Sequence, residues 1–226
     1  MTPLHRRLLA EAVGTLLLLA TVVGSGIMGV ALSNGNDGIA LLANAGATAG
    51  MLYVLIVVLG PISGAHFNPA VTLVMRLRGE MASGDAIAYI AVQVVAAVAG
   101  VVLAHAMFDQ ALLQPGTHAR SGGAQWVSEG VATCGLLLTI LLGARHRPQA
   151  IPALVASYIF AAYWFTASTS FANPAVTLAR SLTQSFAGIR PQDVGGFVLA
   201  QLAGALVAIA IAHLLVDRGD DASARG

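Results

Sequence analysis

The sequence is poor in charge and contains no lysine. Of its 226 residues only 9% are charged and 57% are hydrophobic, and all eleven basic residues are arginine. A soluble domain carries about 25% charged residues, so this chain has too little polar surface to face water on all sides. Its net charge of +1, without a basic cluster, gives no sign of a nucleic-acid partner. We therefore expect a protein of the lipid bilayer.

Cysteine and metal-binding patterns are equally scarce. The single Cys134 lies in an apolar run and excludes an intramolecular disulfide, so we interpret it as a small core residue. No spacing of His and Glu resembles a metal site, and we predict neither a metal nor another cofactor. The basic, apolar N-terminus looks like a signal peptide. However, Glu11 interrupts it and a related segment recurs at 128–143, so we expect a retained span.

Six apolar stretches are long enough to cross a hydrocarbon core about 30 Å thick, which needs roughly 20 helical residues. They lie at about 7–32, 38–59, 84–107, 126–144, 150–168 and 192–216. Two further segments, about 68–78 and 173–183, are half as long, and each begins with Asn-Pro. Asn is a favoured N-cap and Pro a favoured first helical residue, so each segment is predicted to start a short helix at membrane depth.

The chain carries an internal duplication. The run Asn-Pro-Ala-Val-Thr-Leu occurs twice, and polar residues within the long spans also match in pairs: Asn68 with Asn173, Pro69 with Pro174, Ala70 with Ala175, Glu11 with Glu129, and Gln93 with Gln201. Each copy has three spans and one half-helix, so the second copy runs the opposite way through the membrane.

The predicted fold is therefore an all-α membrane protein with six transmembrane helices and two half-helices in an inverted 3+3 repeat. We expect one domain over 1–226, with repeat 1 at about 7–107, repeat 2 at about 126–216 and a disordered tail at about 218–226. Most loop arginines fall on one side of the predicted spans: Arg6, Arg7, Arg76, Arg78, Arg145 and Arg147. By the positive-inside rule both termini are cytoplasmic.

Half-helices that enter from opposite faces would bring their N-termini together near the midplane. Each N-terminus carries about half a positive charge, which disfavours cations. The side-chain amides of Asn68 and Asn173 can each donate to a passing oxygen. A water molecule bonded to both could not relay a proton. The paired motif therefore predicts a pore for neutral molecules.

On these residues, the sequence resembles the major intrinsic protein, or aquaporin, family. The resemblance rests on the segment 63–72, on the second Asn-Pro-Ala motif and on the paired Glu and Gln residues, and it covers about 8–216. It implies a right-handed bundle with one pore in each subunit, a homotetramer, and a multi-pass protein of the bacterial inner membrane. Its partners would be lipid, water and small neutral solutes.

One family feature is missing at the outer mouth. An Arg usually follows the second motif, but here the residue is Val176. Counting from the motifs, the resemblance places the other constriction positions at Thr48, Ala161 and Ser170. Such a ring has no charge, no aromatic side chain and little bulk, which predicts a wide mouth. The valine is similar to a bacterial branch associated with arsenic resistance. This similarity implies trivalent or methylated metalloid acids and glycerol-like molecules as solutes, with or without water.

Two arginines could replace the missing one. Arg120 lies in the long connection between the third and fourth spans, which could fold over the mouth and insert this side chain as a filter or gate. Arg180 lies two turns along the second half-helix, on roughly the face of Asn173. We favour an interfacial anchor for Arg180, because a cation is stabilised near a helix C-terminus.

Other polar residues within the spans have structural interpretations. Glu11 and Glu129 are expected to accept N–H bonds from the loops that lead into the half-helices, with Gln93 and Gln201 in similar roles. His66 is expected in the cytoplasmic vestibule, bonded to a carbonyl oxygen, and pH gating remains open.

Three other functions are considered. A water-selective aquaporin would need a narrow mouth. An ion- or proton-coupled transporter would need a carboxylate in the lumen, and neither half-helix offers one nearby. A membrane enzyme using the Glu and His residues is disfavoured, because these groups come in symmetry-related pairs. We predict a passive channel.

Overall fold

The computed structural model describes residues 2–216. These residues form eight α-helices: α1 (Leu4–Leu32), α2 (Asp37–Ser63), α3 (Pro69–Leu77), α4 (Ser83–Met107), α5 (Gly123–His146), α6 (Ile151–Phe165), α7 (Pro174–Arg180) and α8 (Val194–Leu215). Short 3-10 turns at Pro148–Ala150 and Pro191–Asp193 precede α6 and α8. The described part of the chain holds no strand, which confirms the all-α prediction. The predicted disordered tail lies outside the described residues.

Five segments are long and apolar enough to span a membrane: α1, α2, α4, α5 and Pro191–Leu215. The sixth predicted span, about 150–168, is shorter. Helix α6 has 15 residues, because the backbone turns extended at Thr166 and the following residues enter a loop. Conversely, α2 continues past its predicted end near residue 59 as far as Ser63, where Gly64 closes it in the left-handed conformation.

The two half-helices begin where the Asn-Pro pairs predict. The Asn68 side chain accepts a hydrogen bond from Ala70 N–H at 2.9 Å, and Asn173 accepts from Ala175 and Val176 N–H at 3.0 and 3.2 Å. Each Asn therefore caps its helix, and the following Pro takes the first position, where no N–H is needed. Helix α7 ends at Arg180, three residues before its predicted end.

The two halves of the bundle are built alike. Helix α1 packs against α2 and α4, α5 packs against α6 and α8, and contacts between α2 and α6 join the halves. The starts of α1 and α4 lie on one side, where Arg7 pairs with Asp85 and the end of α3 is held by a bond from Arg76 to Ser83. We call this side the termini face and the other side the opposite face.

Close packing between α1 and α4 depends on Gly100. A Cβ atom at this position would collide with the carbonyl oxygen of Leu16 and would lie 2.8 Å from the Leu19 Cβ. These obstacles belong to the backbone and the base of a side chain, which cannot move aside. By contrast, a Cβ at Gly50 would meet nothing within 4 Å.

We expect Gly100→Ala to lower stability by about 1–3 kcal/mol, because overpacking forces the two helices apart. The matched control Gly50→Ala should be neutral or slightly stabilising, since Ala favours the helix over Gly. The measurement is the loss of the monodisperse size-exclusion peak after heating in detergent. Equal melting temperatures for the two variants would contradict this packing account.

Candidate functional site

A cavity of about 340 Å³ runs along the bundle between the two repeats. Its wall is mostly aliphatic, with polar groups at three levels. Glu80 and His66 lie toward the termini face, the two motif asparagines lie at the centre, and a polar group lies toward the opposite face: Thr48, Tyr163, Ser170 and Arg180. The sequence-predicted Asn68, Asn173, Thr48, Ser170 and Val176 are thus brought together on one cavity wall.

At the centre, the asparagine of each motif is bonded to the loop of the other motif. The Asn68 amide donates to the Ala172 carbonyl oxygen, and the Asn173 amide donates to the Phe67 carbonyl oxygen, both at 2.8 Å. An amide nitrogen has two N–H groups, so each Asn keeps one for a molecule in the cavity. The sequence analysis predicted the lumen-facing amides but missed these reciprocal bonds, which no sequence pattern reveals.

The loops before the half-helices hold an unusual backbone. Ala65, Phe67, Thr169, Ser170 and Ala172 all have positive φ angles, between 47° and 61°. Residues other than Gly disfavour positive φ angles, at a cost of order 1–3 kcal/mol each. The surrounding contacts must therefore hold these loops in place.

In the first repeat, the Glu11 carboxylate supplies the contacts. It accepts hydrogen bonds from His66 N–H at 3.0 Å, from Phe67 N–H at 2.7 Å and from the Gln93 amide at 2.8 Å. Gln93 in turn donates to the Thr72 hydroxyl on α3 at 3.0 Å. The carboxylate thereby ties α1, α4 and the half-helix to one point.

The second repeat holds the same arrangement. Glu129 accepts from the N–H groups of Phe171 and Ala172, both at 2.9 Å, and from the Gln201 amide at 2.6 Å. Gln201 also donates to the Thr177 hydroxyl on α7 at 2.7 Å. The paired Glu and Gln residues are therefore placed to hold the loops rather than to face the cavity.

Toward the opposite face, the structure corrects one predicted constriction residue. Ala161 is exposed and does not line the cavity, whereas Tyr163 does. The count from the second motif was off by two residues, which on an α-helix is a rotation of about 200° to the other side. The Tyr163 hydroxyl donates to the Thr48 hydroxyl at 3.3 Å. An aromatic side chain therefore lies beside the predicted constriction residues, where the sequence predicted none.

Arg180 also differs from its favoured interpretation. Its side chain is not an interfacial anchor: the residue is only 1% exposed and lines the cavity. The guanidinium carbon lies 3.3 Å from the centre of the Phe171 ring, and the Nε–H donates to the Ala187 carbonyl oxygen. The spacing of residues 173, 176 and 180 is the sequence feature that indicates a cavity-lining position for Arg180, since these positions share one helix face.

Arg120 folds back over the second loop, but it does not line the cavity. Its backbone N–H donates to Asp193, its Nε–H to the Gly188 carbonyl oxygen at 2.9 Å, and its terminal N–H to the Ser168 carbonyl oxygen at 3.0 Å. Burial lowers the pKa of its guanidinium to about 10, against the opposing effects of Glu129 and Tyr163, so it stays charged at pH 7. These contacts hold the connection between α4 and α5 against the loops before and after α7.

On the termini side of the centre, His66 lines the cavity as predicted for a vestibule residue. Its partner is not a carbonyl oxygen. The Nδ1 atom lies 3.1 Å from the Thr72 hydroxyl, and the ring packs 5.4 Å from that of Tyr89. No group of three or more His, Cys, Asp or Glu side chains within residues 2–216 could hold a metal ion.

Comparison with known proteins gives a consistent result. The Major intrinsic protein family model matches residues 1–164. The chain is 57% identical over 213 residues to aquaglyceroporin AqpS of Rhizobium meliloti (strain 1021), covering 94% of this chain and 91% of that protein. It is 35% identical over 148 residues to aquaporin PIP2-4 of Oryza sativa subsp. japonica, covering 62% of this chain and half of that one.

Among solved structures, the aquaglyceroporin from Plasmodium falciparum matches with a TM-score of 0.72. The match covers 93% of this chain and 95% of that chain. The sequence identity is 16%, so this likeness concerns the fold.

We expect Glu129→Ala to destabilise the protein by several kcal/mol, because each buried donor that it leaves unpaired costs about 1–3 kcal/mol. Glu129→Gln, which keeps one acceptor oxygen, should lose less. The control is Glu80→Gln, since the half-exposed pair with Arg78 is worth about 0–1 kcal/mol. Thermal melting in detergent measures the loss of stability, which should be largest for Glu129→Ala, smaller for Glu129→Gln and smallest for Glu80→Gln. Comparable melting temperatures for Glu129→Ala and Glu80→Gln would refute it.

Proposed function

The chain belongs to the major intrinsic protein family, and we propose that it conducts small uncharged solutes, with glycerol-like molecules and trivalent or methylated metalloid acids as its candidate substrates. Aquaglyceroporins of this family are channels, so the chain is a multi-pass membrane channel and not an enzyme. The family resemblance read from the paired motifs is thereby confirmed.

The observation that carries the solute proposal is the mixed polar and apolar lining of the cavity near the opposite face. There, the hydroxyl-bearing residues Thr48, Tyr163 and Ser170 line the cavity together with the apolar Val176 and Phe171. A small polyol has hydroxyl groups along one edge and C–H groups along the other, so such a wall replaces its water shell at low desolvation cost. Pyramidal metalloid acids with three hydroxyl groups share this character. The relative AqpS is an aquaglyceroporin, which supports the polyol class.

A water-selective channel is the second candidate. The specific observation in its favour is that Tyr163 and Arg180 add bulk at a mouth for which the sequence predicted small side chains. A narrower mouth would still pass water and would reject larger solutes.

Passive conduction is supported by the position of the carboxylates. Of the residues that line the cavity, Glu80 is the acidic one, and it pairs with Arg78 at 2.7 Å in the turn between α3 and α4. A coupled transporter would place such a group at the centre of the path. We further propose a homotetramer in the bacterial inner membrane. Both termini would be cytoplasmic, because Arg6, Arg7, Arg76 and Arg78 lie on the termini face.

Proteoliposomes shocked with sorbitol and then with glycerol separate the two candidates by stopped-flow light scattering. We expect fast shrinkage in sorbitol and fast re-swelling in glycerol. Val176→Arg should slow the re-swelling on the order of tenfold or more, equivalent to ~1.4 kcal/mol, because a long cationic side chain fills the mouth. The matched control Val176→Ala should re-swell at least as fast as the wild type.

Shrinkage without re-swelling in the wild type would favour the water-selective candidate and exclude the polyol proposal. Uptake of arsenous acid into the same vesicles tests the metalloid class. It should follow the concentration of the undissociated acid and should be unaffected by a pH gradient once that concentration is held constant. Uptake driven by the gradient itself would contradict passive conduction.

A further inference from the structure

Arg180 carries a buried charge that forms no direct ion pair within the described protein. Its side chain is enclosed, and among residues 2–216 no carboxylate lies within ion-pair distance of it. A buried guanidinium without an acidic partner is strongly unfavourable in a structural role. An enclosed arginine that also forms part of a cavity wall therefore points to a function in that cavity.

Most of the hydrogen-bonding capacity of this side chain is unused by the protein. A guanidinium has five N–H groups. The Nε–H donates to the Ala187 carbonyl oxygen, whereas the terminal nitrogens donate to no described group. Those nitrogens are not fully enclosed by protein. Since Arg180 lines the cavity, they face the cavity space.

The helix places this guanidinium over the constriction. Side chains on an α-helix lean toward its N-terminus, so a long residue covers the turn before its own Cα. Arg180 follows Val176 by four residues and therefore leans over it. Valine is short enough to leave that space open, and the Phe171 ring at 3.3 Å supports the guanidinium from one side.

We propose that Arg180 is the selectivity-determining residue of the opposite mouth. From one turn further along α7 it supplies the fixed charge and the hydrogen-bond donors that Val176 cannot. Its terminal N–H groups donate to an oxygen of the passing solute, and the positive charge repels cations. This inference rests on the proposed channel function and assigns it a specific residue.

Arg120 has a different part in this arrangement. Its Nε–H holds the Gly188 carbonyl oxygen, next to the Ala187 carbonyl that fixes Arg180, and its guanidinium carbon lies 5.0 Å from the same Phe171 ring. Because it contacts the loops and not the cavity, we assign it to positioning. The filter role considered for Arg120 from the sequence is therefore proposed for Arg180 instead.

The test compares Arg180→Ala and Arg180→Lys with Arg190→Ala in proteoliposomes. Arg190 is a matched control: it lies on the same connection of the opposite face, but it pairs with Asp193 and does not line the cavity. Proton flux is read with an enclosed pH dye under a potassium diffusion potential, and the size limit with polyols of increasing length. Water permeability in the same vesicles reports that each variant is folded.

We expect Arg180→Ala to raise proton flux by at least tenfold and to admit longer polyols than the wild type. Arg180→Lys should keep proton flux low, since the charge remains, while it admits longer polyols, since the planar fork is gone. Arg190→Ala should match the wild type in both measurements. A folded Arg180→Ala channel with wild-type proton flux and wild-type size limit would overturn the proposal.

The exchange variant Val176→Arg/Arg180→Val decides the matter if Arg180→Ala does not fold. It returns one arginine to the mouth from the neighbouring turn. Proton flux as low as in the wild type, with a smaller size limit, would support the proposal, whereas high proton flux would overturn it. Failure of the wild type to conduct water or glycerol is a separate result, which would refute the channel function itself.

Discussion

Inside a bilayer, a backbone that leaves the helix must obtain its hydrogen bonds from the protein itself. This protein leaves the helix twice at membrane depth, and each time a buried carboxylate meets the requirement. Glu11 and Glu129 each accept two backbone N–H groups from the strained loop before a half-helix. The positions of both asparagines, and hence of the cavity wall, depend on these bonds. A glutamate in an apolar span is therefore a condition for having a pore at all.

The two repeats share this frame and differ at the mouths. Helix α3 has nine residues and α7 has seven, and after α7 the chain turns back so that the Ala187 carbonyl meets the Arg180 side chain. Nothing in the first repeat corresponds to this turn, since Arg76 at the end of α3 bonds to Ser83 near the start of α4. Symmetry thus governs the centre, where both half-helices must meet. It is broken near the opposite face, where Thr48, Tyr163, Ser170 and Arg180 line the cavity.

Sequence patterns predicted what depends on local chemistry. Asn-Pro marks a helix start because the cap and the missing N–H act within one turn, and the paired Glu and Gln residues follow from the duplication. The position of Ala161 could not be derived in this way. Counting back from the second motif crosses the loop 166–173, whose path depends on Glu129 and on its left-handed residues. Likewise, the spacing of Arg180 gave its helix face, while its burial depends on the fold of the residues after α7.

The reciprocal bonds between Asn68 and Asn173 also bear on how the protein is made. The Phe67 carbonyl receives its donor from a residue 106 positions later in the chain. A nascent chain that has delivered the whole first repeat into the membrane still has an unfinished centre, with an amide and a carbonyl waiting for partners. Those partners, Ala172 and Asn173, arrive only after α6 has entered. The first repeat must therefore persist as an incomplete assembly during synthesis. Its hydrogen bonds at the centre are completed only when the loop before α7 has entered the membrane.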